Sequence, residues 1–171
     1  MGDPREEDTE MGPLAFKEHF DRVLTHIEQA REDGARLVYG GERPAEFADG
    51  YFVAPTVFDG VTDEMRLFHN EVFGPVMAVC RWSDEDDMIE QINAVEFGLT
   101  ARIWTNDLNR AQRIVSRVDA GFVWVNESGR KDRGIPVGGF KLSGLGKESC
   151  LEEIVSYTRE KSVTTTFATS P

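Results

Sequence analysis

The chain has 171 residues, 40% hydrophobic and 10% aromatic, the composition of a folded domain that buries about 70% of its unfolded surface rather than of a disordered tail. Nineteen basic side chains stand against 31 acidic ones, a net charge of −12, so no basic face is offered to nucleic acid or to an anionic membrane. Two cysteines, Cys80 and Cys150, cannot build a disulfide framework and read as reduced thiols. Residues Met1 to Asp8 lack a basic stretch followed by an apolar one, and the longest apolar run, Val72 to Cys80, is too short to span a bilayer. The expectation is a cytoplasmic protein. The Asn126-Glu127-Ser128 sequon then carries no consequence.

Taken in chain order, Phe16, Phe20, Val23, Leu24, Ile27 and Ala30 recur at helical spacing. They predict an amphipathic helix over about Ala15 to Asp33, closed by Gly34. Leu37-Val38-Tyr39 reads as a short strand. Tyr51-Phe52-Val53 and Thr56-Val57-Phe58 are strand-like around Pro55, which points to an edge or a bend. Val76 to Trp82 is nearly continuous in apolar residues, the pattern of a strand covered on both faces. Ser83 is the expected cap of the next helix, with Met88, Ile89, Ile92 and Val95 inward and Gly98 at its end.

Thr100 to Trp104 reads as a strand, and Leu108 to Val118 as a helix with Leu108, Ala111, Ile114, Val115 and Val118 inward. Phe122 to Val125 is the next strand. This alternation from Val76 to Val125 predicts an α/β fold, a parallel open sheet with flanking helices. A polar, glycine-rich stretch runs to Gly146. A last helix covers about Glu148 to Tyr157, and a last, β-branched strand covers Ser162 to Phe167.

Several chemical readings fail on spacing. Around Gly146-Lys147 the glycines lack phosphate-loop spacing, and Glu148 stands where Ser or Thr is needed. No G-x-G-x-x-G follows a strand. His19 and His26 are seven apart, where a zinc pair on a helix needs four, and the acids Asp84 to Asp87 lack calcium-loop spacing, so no metal site is expected. Cys80 lies in an apolar strand, where burial raises a thiol pKa. Cys150 begins a helix whose dipole favours a thiolate, but Glu148, Glu152 and Glu153 oppose it. Glu71 stands between apolar neighbours at the entry to a strand, in Asn70-Glu71-Val72-Phe73-Gly74-Pro75. A carboxylate there wants donors. The two hydroxyls of a ribose would serve, with Phe73 free to cover a flat ring. An N-cap role or an ion pair with Arg66 would serve equally, and chemistry alone favours those two.

These residues also resemble a known family. Glu71-Val72-Phe73-Gly74-Pro75-Val76 is similar to the E-x-F-G-P-V motif of the aldehyde dehydrogenase superfamily. Asn93-x4-Gly98-Leu99-Thr100-Ala101, Gly121-x-Val123-Trp124-Val125-Asn126 and Pro136-Val137-Gly138-Gly139-Phe140-Lys141-x-Ser143-Gly144 resemble further motifs, in that family's order. Tyr157-Thr158-x-x-Lys161, Gly2-Asp3-Pro4 and Met11-Gly12-Pro13-Leu14 extend the likeness over nearly the whole chain.

The resemblance implies NAD- or NADP-dependent oxidation of an aldehyde to an acid, through a cysteine nucleophile and a general base. It implies that Glu71 holds the nicotinamide ribose, that Phe73 packs beside it, and that Glu148 belongs to a proton relay. It implies that Glu127 to Arg133 contacts the aldehyde's tail, although Gly129-Arg130-Lys131-Asp132-Arg133 is strongly charged for an apolar substrate. Val137 stands where the family usually has Phe. The family's nucleophile, general base, oxyanion asparagine and Rossmann domain have no counterpart in these residues, since Cys80 and Cys150 fall elsewhere in the pattern. Residues 1–158 are therefore expected to be the C-terminal part of the catalytic domain, inactive alone, and residues 159–171 an oligomerisation strand and tail. Expected partners are a second copy or a full-length relative through that strand, or a separate upstream half. The alternative is a non-enzymatic interaction module related to the family.

Overall fold

The computed structural model describes residues 1–130 and 132–167. The fold is α/β, with open sheets and flanking helices. It divides into two compact units, Met1–Gln91 and Ile92–Pro171.

In the first unit the long helix α1 spans Lys17–Glu32 and buries Phe20, Val23, Ile27 and Ala30 of the predicted stripe, while Leu24 is half-buried and Phe16, at the position before the helix, is exposed. Its end is a Schellman turn. The Ala35 N–H reaches the Ala30 carbonyl and the Gly34 N–H reaches Arg31, with Gly34 at φ +92°. The strands β1 (Arg36–Tyr39), β2 (Thr56–Asp59) and β3 (Val76–Val79) form one sheet in that order. β1 is antiparallel to β2, and β2 is parallel to β3. The return from β2 to β3 carries the short helix α2 (Arg66–His69). The core joins the α1 stripe to Val53, Phe58, Val61 and Leu67, and Phe58 is fully enclosed. Arg66 ties α2 to the end of α1. Its backbone N–H donates to Asp33 at 2.9 Å, and its guanidinium pairs with Asp33 at 2.6 Å and Glu32 at 3.0 Å.

Several expectations are corrected here. Tyr51-Phe52-Val53 forms no strand, and β2 is the central strand rather than an edge. Pro55 lies one residue before it, so its missing N–H falls outside the ladder. β3 is an edge strand, and Met77 is 60% exposed. Of its apolar run, Val76 packs on the core while Met77 and Ala78 are exposed. Cys80, just beyond it, is exposed rather than buried.

Helix α3 (Glu85–Ala94) contains the boundary between the units. Its cap is Asp84, not Ser83. The Asp84 carboxylate accepts from the N–H groups of Asp86 and Asp87, two and three residues on, the positions a capping side chain reaches. Ile89 is buried as expected and Ile92 is exposed.

In the second unit, β4 (Phe97–Gly98) pairs antiparallel with β7 (Phe140–Lys141). β5 (Thr100–Ile103) pairs parallel with β6 (Phe122–Val125) across helix α4 (Leu108–Val115). The single parallel sheet expected from Val76 to Val125 is thus replaced by separate ladders, because β3 pairs with β2 and β5 pairs with β6. Gly98 lies in β4 instead of closing α3. Leu108, expected inward, is 71% exposed, while Ala111, Ile114 and Val118 are buried. The last helix, α5, is shorter than expected, Leu151–Ser156. Among the described residues Ser162 to Phe167 pair with no strand, since their alternation supplies a ladder edge without a neighbour to complete it. Lys131 of the expected tail loop and residues 168–171 of the expected tail lie outside the described residues. Among the described residues no helix is long and apolar enough to cross a membrane.

Candidate functional site

The segment from Asn70 to Val76 leaves α2 and enters β3. Three successive carbonyls hold it. Phe73 accepts from His19 Nε2 on α1 at 2.7 Å, Gly74 accepts from the Val76 N–H at 2.7 Å, and Pro75 accepts from the Thr56 N–H at 2.8 Å. Gly74 lies directly against α1. A Cβ built on it would stand 2.7 Å from Val23 Cγ2, so only glycine lets the turn approach the helix.

Phe73 pays for that approach with a left-handed backbone, φ +55°, which a bulky residue adopts only when its surroundings enforce it. The outcome is an aromatic ring turned to solvent, 75% exposed, with the His19 ring 6.4 Å away. Phe73, Gly74 and Pro75 line a cleft of about 390 Å³ together with Val53 and Met11 to Leu14.

Glu71 is exposed two residues earlier. Both bland roles for it are excluded by the geometry. α2 ends before it, so it caps no helix start, and Arg66 is engaged by Asp33 and Glu32. Among the described residues its carboxylate takes no hydrogen bond or ion pair. A solvent-facing acceptor two residues before an exposed ring fits a ligand that brings hydroxyl donors and a flat surface.

In the second unit, Glu148 pairs through its backbone with Val137, at 2.7 and 3.0 Å, and lines a cleft of about 680 Å³ between the glycine-rich loop and α5. Cys150 is buried at the start of α5, and its thiol donates to Glu152, which lowers the Glu152 pKa. Partial desolvation and the Asp63 carboxylate push the Cys80 thiol up. Among the described residues neither sulfur has a hydrogen bond or ion pair to a cation or to a histidine base. The loop expected to meet an aldehyde's tail is tied back on itself: Arg130 pairs with Asp132 at 3.2 Å, and Trp124 Nε1 donates to the Arg130 carbonyl at 2.7 Å. Among the described residues no three His, Cys, Asp or Glu side chains converge on one point.

Sequence reasoning missed what the other motif residues do. Asn93 clamps the α4–β6 connection, donating to the Arg117 carbonyl at 2.7 Å and accepting from the Asp119 N–H at 2.9 Å. Lys141 Nζ closes the end of α3 on the carbonyls of Asn93 and Val95, and Ser143 Oγ accepts from the Gly98 N–H. Asn126, at φ +54°, bonds both backbone groups of Thr105. Gly121 abuts the Gly138 carbonyl so closely that a Cβ would stand 1.8 Å from it. These residues hold backbone against backbone. The asparagines, lysine and serine in the motifs were the available signal, because their side chains carry donors or acceptors that can bond backbone groups.

Residues 1–163 match the model of the aldehyde dehydrogenase family. The aldehyde dehydrogenase tropH of Talaromyces stipitatus is 48% identical over 160 residues, which is 91% of this chain and 31% of that protein. An aldehyde dehydrogenase from Bacillus cereus, solved as an NAD+ complex, superposes with a TM-score of 0.84 at 40% identity, covering 92% of this chain and 32% of its own. The NAD-dependent aldehyde dehydrogenase from Sinorhizobium meliloti gives a TM-score of 0.86 at 35% identity, covering 100% of this chain and 34% of its own. The chain spans about a third of the length of the relatives it matches.

Proposed function

Because this chain belongs to the aldehyde dehydrogenase family, we propose that its Asn70–Val76 segment is the nicotinamide-ribose clamp of an NAD- or NADP-dependent aldehyde oxidation. The observation that carries this reading is an exposed Glu71 carboxylate with no partner among the described residues, two residues before the exposed Phe73 ring. Glu71 accepts from two ribose hydroxyls, and Phe73 covers the sugar and ring. When bound, the nicotinamide supplies the acceptor for the hydride the aldehyde loses. The chain's part is to orient that acceptor and to keep the ribose from turning. Glu148, on the rim of its own cleft, serves as a proton relay carboxylate. Both cysteines are free, in keeping with a reducing, cytoplasmic setting.

One bidentate hydrogen bond and one ring contact amount to about 2–4 kcal/mol gross, so these residues alone hold the nucleotide at millimolar affinity at best. Nicotinamide mononucleotide titrated into the labelled chain is expected to shift the Phe73 ring signals in that range. Glu71→Ala is expected to weaken binding at least tenfold, since hydrogen bonds to a charged group contribute about 1.5–3 kcal/mol. Equal binding by the variant refutes the clamp. This chain alone is expected to form no NAD(P)H from a panel of aldehydes. Turnover abolished by Cys150→Ala would overturn that part.

A second reading is favoured by the tail. Val163 and Phe167 are exposed, at 73% and 85%, on an alternating β-branched segment that pairs with no strand among the described residues. On this reading Ser162 to Phe167 adds to a sheet edge of a second copy or of a full-length relative. Light scattering of the chain with and without residues 162–171 tests it. A monomer at every concentration, with no capture by a full-length relative, sinks it.

A further inference from the structure

Phe73 needs a restraint that its own sequence does not provide. A phenylalanine at φ +55° relaxes to the extended or right-handed region unless something outside the turn opposes it. Gly74 fills the space against Val23 and so blocks one direction of movement, but it exerts no pull on Phe73. The pull comes from α1. His19, in the first turn of that helix and half-buried, directs Nε2 at the Phe73 carbonyl over 2.7 Å. Its imidazole stands between two aromatics, with the Phe16 ring at 5.7 Å and the Phe73 ring at 6.4 Å, both tilted. A ring bracketed in this way keeps one orientation, and a fixed donor holds its acceptor better than a mobile one.

We propose that His19 is the positioning residue of the nicotinamide clamp: it holds the Phe73 carbonyl so that the backbone stays left-handed and the ring stays presented to the nucleotide. The inference rests on the clamp reading and goes beyond it, assigning the geometry of Phe73 to a helix 54 residues away in sequence. The bond requires a proton on Nε2. The neutral Nε2–H tautomer and the imidazolium both supply it, so the latch works in both charge states of the ring. A side chain with a donor at similar reach, such as glutamine, should therefore replace it, and an isosteric apolar one should not.

The test uses the whole chain in three forms: wild type, His19→Leu and His19→Gln. The primary readout is the intraresidue amide-to-Hα nuclear Overhauser effect of Phe73, which is strong only at positive φ, together with its carbonyl 13C shift. The wild type and His19→Gln are expected to show the strong effect and similar shifts. His19→Leu is expected to lose the strong effect while amide dispersion elsewhere stays that of a folded chain. The second readout is the nicotinamide mononucleotide titration, in which His19→Leu should bind about fivefold more weakly and His19→Gln within about twofold of wild type, the range of one neutral hydrogen bond. A positive φ retained at Phe73 in a folded His19→Leu overturns the proposal whatever the nucleotide does. So does failure of His19→Gln to restore the wild-type signals in a folded chain. A wild type that ignores the nucleotide, with Phe73 released in His19→Leu, refutes the clamp and leaves the latch standing as a backbone restraint.

Discussion

Gly74→Ala is the sharpest probe of how α1 shapes the site. The added methyl would lie 2.7 Å from Val23 Cγ2 and 3.1 Å from Cγ1. Val23 is fully buried in the middle of a helix, where a β-branched side chain has one strongly preferred rotamer, so it cannot swing aside. The turn and the helix must separate by a few tenths of an ångström. Overpacking of this kind costs about 1–3 kcal/mol. The same displacement lengthens the 2.7 Å bond between His19 and Phe73, because both lie across that contact. Urea unfolding followed by far-UV circular dichroism should show a lower midpoint with the slope unchanged.

Val23→Ala alone should cost about 2 kcal/mol, from the lost methyl groups and the cavity they leave. In the double variant the alanine at position 74 occupies space the valine has vacated. The combined cost should therefore fall at least about 0.5 kcal/mol short of the two single costs added together. Additivity within error, or a Gly74→Ala chain as stable as wild type, would refute the argument that this contact excludes every side chain.

Two further outcomes follow from the first unit. Asp59 is buried, and its carboxyl is held below the ordinary aspartate value of 3.8 by Arg81 at 3.0 Å, by Arg36 and by the Gly60 N–H. A depressed native pKa gives stability that is full above the unfolded value and is lost as pH falls through the lower native one. Urea midpoints of wild type should therefore drop below about pH 4 more steeply than those of Asp59→Asn, and parallel profiles would contradict this. Gly34→Ala meets nothing within 4 Å, so its cost is the left-handed backbone alone, about 1 kcal/mol. A thermal midpoint unchanged from wild type would show that the Schellman turn does not restrain α1.

Much of the fold was legible because it is local. The stripe of α1, the glycine that ends it, and the strands at Thr56, Val76, Thr100 and Phe122 follow from spacing that side chains within one element impose on each other. The misreadings are of another kind. Tyr51-Phe52-Val53 has strand composition but no partner, and the apolar run of β3 ends at an edge rather than in the middle of a sheet. Pairing is decided by which segments meet, and composition does not carry that. Asp84 displaced Ser83 as a cap by a single residue, a choice settled by which side-chain oxygen reaches two free N–H groups.

The site divides in the same way. Spacing and resemblance picked out Glu71, Phe73 and Glu148, and the geometry removes the two structural duties that competed for Glu71. His19 was weighed only as a zinc ligand with His26, and nothing in the sequence pointed to its acceptor, which lies 54 residues further along.

By itself the sequence determined the helix periods, the turn residues and the ordered motifs that place the chain in its family, all of them properties of neighbouring residues or of their order. Tertiary structure alone decided which partner each group takes. Arg66 goes to Asp33 and leaves Glu71 open, and His19 takes the Phe73 carbonyl and keeps its backbone left-handed. A hydrogen bond or an ion pair forms only between atoms brought within about 3 Å, and that proximity is set by how the elements pack, not by their separation along the chain.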